Sequence, residues 1–584
     1  MPISDGNGLT PEAEFFLAPE RPLHRQYEAL RAYFVDALPS QEVAHRFGYS
    51  PAAFRVLCSQ FRHDQDRHER FFRDPRHGPK AAPKRDAVRD LVVQLRKQNL
   101  SVYDIQQELQ ERGQPMSINA LSVLLHEEGF ARLPRRRDDE RPRALRPEEA
   151  PVADVRALDL SPCTFRTGAA GLFFFVPLLI AADLPALARM VDLPGSEMIP
   201  AEHALRTLVA LKLLGKERQS HVMDLVFDPG IALFAGLNAV PKRSFLSAYS
   251  ARVDPRQNLK LMGAWSDAVR ALGLEPGSSF DLDFHSIPAN SDAEPLDKHY
   301  ISQRSRSQKG ILTFLARDVQ QNLLCYGNAG VAKPQRNDEI LHFIDYWLER
   351  TGRLPEELVF DSQLTTYAHL QQLDSRGIAF ITLRRRTRKL KAAIFSVPAS
   401  MWQRVHLPAL TRQFRNPRVL DTTISLPGYA KPLRQLAITE LGHEEPTILL
   451  TNQMNASVVQ LITRYAQRML IENGIAEAIN FFHLDALTSM VGLKVDLDLQ
   501  MTLMATSLYR LMAQRVGREY RRATAKTLFR KLFDLSGEVT ITPAGIEVAL
   551  NRRAHNPLLR AAGLADNPVP VPWLRNMPLT IRFP

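Results

Sequence analysis

Cysteine is scarce in this chain. Cys58, Cys163 and Cys325 are the only three in 584 residues, far apart and never in a Cys-x-x-Cys pair. That count argues against a disulfide framework and a zinc site, and makes a reducing cytoplasm the expected compartment. Long apolar runs are lacking too. The strongest, residues 168–182 around FFFVPLLIAA, is shorter than the roughly 20 residues that span a bilayer and contains Pro177. It is expected to be buried helix, with no membrane partner. The first residues, MPISDGNGLTPEAEFF, have no basic stretch leading into an apolar one, so no secretory leader is expected.

Charge is plentiful. The net charge is +12, and acids and bases are interspersed through most of the chain. This is the balance of a folded protein with basic patches rather than a disordered polycation, and nucleic acid is the leading partner. The length exceeds what one core can organise and implies roughly three to five domains.

Residues 1–78 and 79–132 each show a helix-turn-helix pattern. In the first, helices are expected at 27–37 and 41–47, with Ser40 as cap. Gly48 makes the turn and Ser50-Pro51 opens a third helix. Val43, Ala44, Phe47, Phe54 and Leu57 would form its core, leaving Arg55 and Arg62 to face a duplex. In the second, Ser101 and Ser117 cap two helices and Gly129 ends the last, as in a trihelical or winged unit. An Arg- and Pro-rich linker, 133–153, carries the Arg135–Arg137 run. A helical region is expected at 154–276.

At Gly277 the pattern changes. SFDLDFHSI (279–287) alternates as a half-buried strand does, followed by strands KGILTFLA and NLLCY. A helix from Asp338, a strand ending at Asp361, another helix and the strand IAFITL complete residues 277–383. Three strands, helix, strand, helix, strand is the order of an RNase H-like core. Residues 384–453 read as a β-rich insertion, 454–495 as the closing part of the core and 496–584 as a helical region and tail. The fold class expected is therefore multidomain α and α/β.

The 465–472 stretch, YAQRMLIE, is expected to be one helix, with Ile462, Met469, Leu470, Ile475 and Ile479 as its apolar positions. Tyr465, Arg468 and Glu472 then share a face. Asp283 on the first strand, Asp361 at the end of the fourth and Glu472 make a carboxylate set. Phosphodiester chemistry needs such a set, because two Mg²⁺ ions about 3.5–4 Å apart require hard oxygen ligands on rigid elements. Asp281, two residues before Asp283, is an alternative on the same face, and Glu477 is a weaker rival to Glu472. His285 is read as turned to the opposite face and structural. Arg384, Arg385 and Arg386 open a basic run, RRRTRKLK, suited to a DNA backbone. Trp402 is expected to be buried.

The residues LDFHSI, ELVFDS and Tyr465-x-x-Arg468-x-x-x-Glu472 resemble the acidic signatures of the DDE transposases of bacterial insertion sequences. The subgroup is the one with a Tyr-Arg-Glu-Lys motif and a β-insertion before the last acid. The resemblance implies Asp283, Asp361 and Glu472 as catalytic ligands of Mg²⁺ or Mn²⁺, two ions in all, with Tyr465 and Arg468 on DNA. It implies strand cleavage at element ends and attack of the freed 3′-hydroxyl on target double-stranded DNA, by a homodimer when DNA-bound. Where the family has its Lys, seven past the Glu, this chain has Ile479, and Lys494 is off register. A DNA-binding protein without turnover and an RNase H-like nuclease are the alternatives.

Overall fold

In the computed structural model the chain divides into two compact units, Met1–Pro147 and Glu148–Pro584. The structure describes residues 15–16, 18–64, 71, 83–131, 133, 152–216, 219–288, 297–301, 306–362, 366–408, 415–442, 444–484, 492–517 and 519–583. Arg135–Arg137 and nearly all of the expected linker lie outside them.

The first unit holds two three-helix groups. Pro22–Phe34, Ser40–Arg46 and Pro51–His63 form one. Ser50 accepts the Ala53 N–H at 3.2 Å and Pro51 supplies the first turn, while Gly48 turns the chain at φ +70°. Ser40 proves to be the first helical residue, without a side-chain cap at that end. The five expected core residues are all buried. In the second group, Arg89–Lys97, Val102–Glu111 and Ile118–Glu127, Ser101 and Asp104 form a reciprocal capping box and Ser117 caps the last helix. No strand occurs in this unit among the described residues, so the group is trihelical there rather than winged.

The strands of the second unit are β1 (Cys163–Thr167), β2 (Ser279–Pro288), β3 (Lys298–Ile301), β4 (Arg306–Asp318), β5 (Leu323–Asn328), β6 (Glu357–Phe360), β7 (Ala379–Leu383), β8 (Gln403–Arg404), β9 (Arg418–Ile424), β10 (Leu433–Thr439), β11 (Thr447–Thr451), β12 (Gly537–Thr542), β13 (Gly545–Leu550), β14 (Val569–Val571) and β15 (Met577–Arg582). The helices that shape the site are α1 (Glu339–Thr351), α2 (Tyr367–Ser375), α3 (Val458–Gln467), α4 (Met469–Asn480) and α5 (Gly492–Val516).

β4 lies antiparallel between β2 and β5, whereas β6 runs parallel to β2 and β7 parallel to β6. Taken in chain order, these five strands stand 3-2-1-4-5 across the sheet, which is the RNase H-like arrangement. The central strands are covered on both faces, as parallel strands require, and Leu358, Val359 and Phe360 are all fully buried. On one face Phe280 packs against Phe343 and Trp347 of α1, with ring centroids 5.2 and 4.5 Å apart. Asp281 and Asp283 take the other.

The expected insertion has its strands but is no separate subdomain. β11 pairs with β7 antiparallel, and β10, β9 and β8 continue the same sheet outward. An open β7 edge would leave a row of unpaired backbone groups, which β11 satisfies.

Two helical expectations need correction. Residues 154–276 include β1, and after α5 the segment 496–584 ends in β12–β15, which form a five-stranded sheet with β1 at its edge. The β12–β13 hairpin alternates in and out with Val539, Ile541, Ile546 and Val548 buried, a period of two rather than 3.6. β1, CTFRT, is mostly exposed and so carries almost no apolar signal. The apolar run folds as a buried 3₁₀ turn, Ala170–Phe175, and a short helix, Val176–Ala181. No single helix among the described residues is long and apolar enough to cross a membrane.

Candidate active site

The sheet brings two of the expected acids side by side. Leu282 of β2 is paired in parallel register with Phe360 of β6, so Asp283 and Asp361 are the next residues along neighbouring strands. Parallel strands lie about 4.8 Å apart and in-register side chains share a face. Asp361 stands just past the end of β6, its Oδ1 accepting the Ser362 N–H at 2.5 Å.

The third acid arrives on a broken helix rather than a continuous one. α3 ends at Gln467 and α4 begins at Met469, with Arg468 between them. The Arg468 N–H donates to the Tyr465 carbonyl at 3.1 Å and the Ile471 N–H to the Arg468 carbonyl at 2.9 Å. Both contacts span three residues, so the chain tightens locally and Tyr465 and Arg468 eclipse. The guanidinium sits 5.7 Å from the Tyr465 ring centroid. The same break alters the apolar face. Met469 and Leu470, expected inside, are 56% and 41% exposed, while Ile471 is fully buried.

Arg468 is the hub. Its Nη1 donates to Asp283 Oδ2 at 3.2 Å and its Nη2 to Glu472 Oε1 at 3.4 Å. Burial pushes the Asp283 carboxyl above the ordinary carboxylate range. Arg468 and the Phe284 N–H oppose this, while Glu472 and Asp361 add to it as like charges. Burial likewise pushes the Tyr465 phenol up to about 12, with Asp361 and Asp283 contributing in the same direction. The five side chains therefore share one electrostatic environment.

The alternatives separate cleanly. Asp281 is fully buried and held by two arginines, Arg317 Nη1 and Arg464 Nη1, each at 2.7 Å, which removes it from the open site. Glu477 accepts the Ala525 N–H, away from Arg468. His285 requires correction: residues two apart on a strand share a face, so it stands on the Asp283 side. Ile479 packs partly buried against the RNase H-like core. Trp402 is half-buried, with Arg418 5.9 Å from its ring centroid.

Of the basic run, Arg384 bonds Gln435 and Arg386 pairs with Glu445 at 3.3 Å. Arg384 and Arg385 line a cleft of about 430 Å³ with Arg336, Ser362 and Tyr367, next to Asp361. In the first unit Arg55 is exposed and donates to the Pro51 carbonyl at 3.2 Å. Arg62, also exposed, lies 5.3 Å from the Phe34 ring centroid.

Sequence reasoning missed Arg464. Its Nε donates to Glu357 Oε1 at 2.5 Å and its Nη2 to Ser279 Oγ at 2.9 Å, besides the bond to Asp281. The available signal was spacing: Arg464 and Arg468 are one helical turn apart, as Asp281 and Asp283 are one strand repeat apart.

Three carboxylates are hard oxygen donors of the kind a divalent cation takes. No group of three acids, histidines or cysteines among the described residues is closed enough to hold a metal ion. In this conformation Arg468 supplies the positive charge between Asp283 and Glu472. The donors are of the chemistry that Mg²⁺ or Mn²⁺ takes.

No protein-family model matches the chain, and no curated protein matches it. Among solved structures it is similar to the piggyBac transposase synaptic complex with hairpin DNA. The identity is 11% and the TM-score 0.35, over 62% of this chain and 80% of that one.

Proposed function

We propose that this chain is a DNA transposase that cuts and joins phosphodiester bonds with Asp283, Asp361 and Glu472 as its metal-holding carboxylates. The observation that carries the reading is the convergence of these acids, from β2, the end of β6 and α4, around Arg468 on an RNase H-like sheet. Bound Mg²⁺ or Mn²⁺ would supply activation of the attacking oxygen and stabilisation of the leaving one. Of the protein's own groups, Arg468 offers a planar fork that can transfer from carboxylate to phosphate. Tyr465 stays protonated at neutral pH, so it serves as a hydrogen-bond donor to phosphate rather than as a nucleophile. The arginines of the cleft beside Asp361 give the backbone of a DNA strand a place to run. The helix-turn-helix groups would read the element ends, and pairing two ends calls for a homodimer on DNA.

A second reading, a DNA-binding protein that has lost turnover, draws on Arg468 filling the gap between Asp283 and Glu472. One experiment separates the two. End-labelled duplex from the flanks of the gene is incubated with Mg²⁺ and a plasmid target. The transposase reading expects nicking and joined product, both lost in Asp361→Ala. Binding without cleavage supports the second reading, and cleavage without joining marks a nuclease.

A further inference from the structure

We infer that Arg464 is a positioning residue that sets the register of the three carboxylate-bearing elements. This rests on the carboxylate set proposed above. One side chain ties both strands to the helix that leads into the third carrier: Arg464 springs from α3, bonds Asp281 and Ser279 of β2, and bonds Glu357 of β6. Asp283 lies two residues along β2, Asp361 follows the end of β6, and Glu472 lies beyond Arg464 across the break at Arg468.

The spacing explains why an arginine here controls register. Four helical residues advance about 6 Å and two strand residues about 6.7 Å. Arg464 and Arg468 therefore meet Asp281 and Asp283 as two matched rungs, at 2.7 and 3.2 Å. The lower rung is closed on every side. Asp281 is fully buried and its second oxygen takes Arg317 Nη1 at 2.7 Å. Glu357 is also held by Ser279 Oγ at 2.8 Å and Gln453 Nε2 at 3.0 Å. Sliding the helix by one turn toward the start of β2 would set Glu472 against Asp283, like charge on like, and carry Arg464 past Asp281. A buried ion pair adds little net stability over apolar packing, so fixing one arrangement is the role it performs best.

The test uses the full chain and Mn²⁺ alone as probe, with the thermal midpoint and Mn²⁺ titration as readouts beside cleavage. Arg464→Lys keeps the charge but cannot reach three acceptors. A paired change, Asp281→Leu with Arg464→Met, removes both members of that ion pair at similar volume, leaving Arg317 its bonds to Asn322 and Glu357 its bonds to Ser279 and Gln453. Both are expected to fold, to bind duplex in EDTA within about twofold of wild type, and to lose about tenfold or more in Mn²⁺ affinity, as supporting-shell changes do. Mn²⁺ affinity and cleavage within about threefold of wild type in whichever of these variants folds would overturn the inference. Should neither variant fold, Arg464 is a folding residue and the inference is likewise overturned. If wild type itself shows no response to Mn²⁺, it is the carboxylate assignment that fails.

Discussion

Neutralising Asp361 is expected to stabilise the metal-free protein while abolishing its chemistry. Asp283 already bears a raised carboxyl pKa, because burial and two like charges outweigh Arg468. Asp361→Asn removes one of those charges, and the new amide oxygen can still accept the Ser362 N–H. Two unit charges one strand spacing apart repel by about 0.9 kcal/mol in a water-like dielectric. The gain at pH 7 should then be about 0.5–1 kcal/mol, or about 1–2 °C in a unit of this size.

The pH dependence fixes the sign. A carboxyl whose folded pKa exceeds its unfolded value binds more protons in the native state, so native stability falls as pH rises through that window. Asp283 therefore costs stability above its raised pKa and costs nothing once protonated. The advantage of Asp361→Asn should shrink as pH is lowered from 7 through that raised value toward 3.8, the ordinary carboxylate pKa. Urea unfolding of both proteins in EDTA across that range measures it. Adding Mn²⁺ should invert the order, since only wild type keeps the full ligand set, and cleavage should fall by about 10²-fold or more. A variant destabilised at pH 7, or a difference that does not change with pH, would refute the electrostatic account.

Three further outcomes are expected. Asp498→Asn strands the Lys212 ammonium, paired with it at 2.6 Å where both are 8% exposed, and should cost about 3–5 kcal/mol in chemical unfolding. Gly171→Ala would bring a Cβ within 1.8 Å of the Phe533 carbonyl oxygen and should cost about 3 kcal/mol or prevent folding, whereas Gly263→Ala, near only the flexible Arg350 side chain at 3.3 Å, should be tolerated. Arg55→Ala should reduce the slope of log affinity for duplex against log salt by about 1, with stability unchanged. Arg62→Ala should also cost about 0.5 kcal/mol of stability through its lost contact with Phe34.

Much of the core was legible because its strands are short and alternate sharply. SFDLDFHSI announced both faces of β2, and the Asp of ELVFDS stands where that strand stops. Capping residues did the same for the first unit, where Ser50, Ser101 and Ser117 mark helix starts. Pairings between distant segments left no such trace. β1 joins β12 across most of the second unit with an exposed, polar-faced strand, and β11 adopts the β7 edge through backbone groups that every residue carries. Local apolar content misled at Met469 and Leu470, because the tightening at Arg468 turns them outward.

The two rungs beneath and within the site differ in charge. In the lower rung Asp281 and Glu357 face Arg317 and Arg464, two acids against two bases, closed and self-neutral. In the upper rung the only ion pairs of Asp283, Asp361 and Glu472 among the described residues are those of Arg468 with Asp283 and Glu472, so acids outnumber bases there. On the proposed reading, bound divalent metal would offset that excess. Tyr465 reports the same field, its phenol held protonated by burial and the nearby carboxylates. Glu472, proposed as the third ligand, is 45% exposed. An arriving phosphate would draw Arg468 away from Asp283 and Glu472, deepening the deficit of positive charge there. Metal and DNA should consequently bind cooperatively: duplex affinity rises with Mn²⁺ in wild type, and Arg468→Met loses that coupling while its response to Mn²⁺ without DNA remains. Equal coupling in the two proteins would show that Arg468 is only a structural brace.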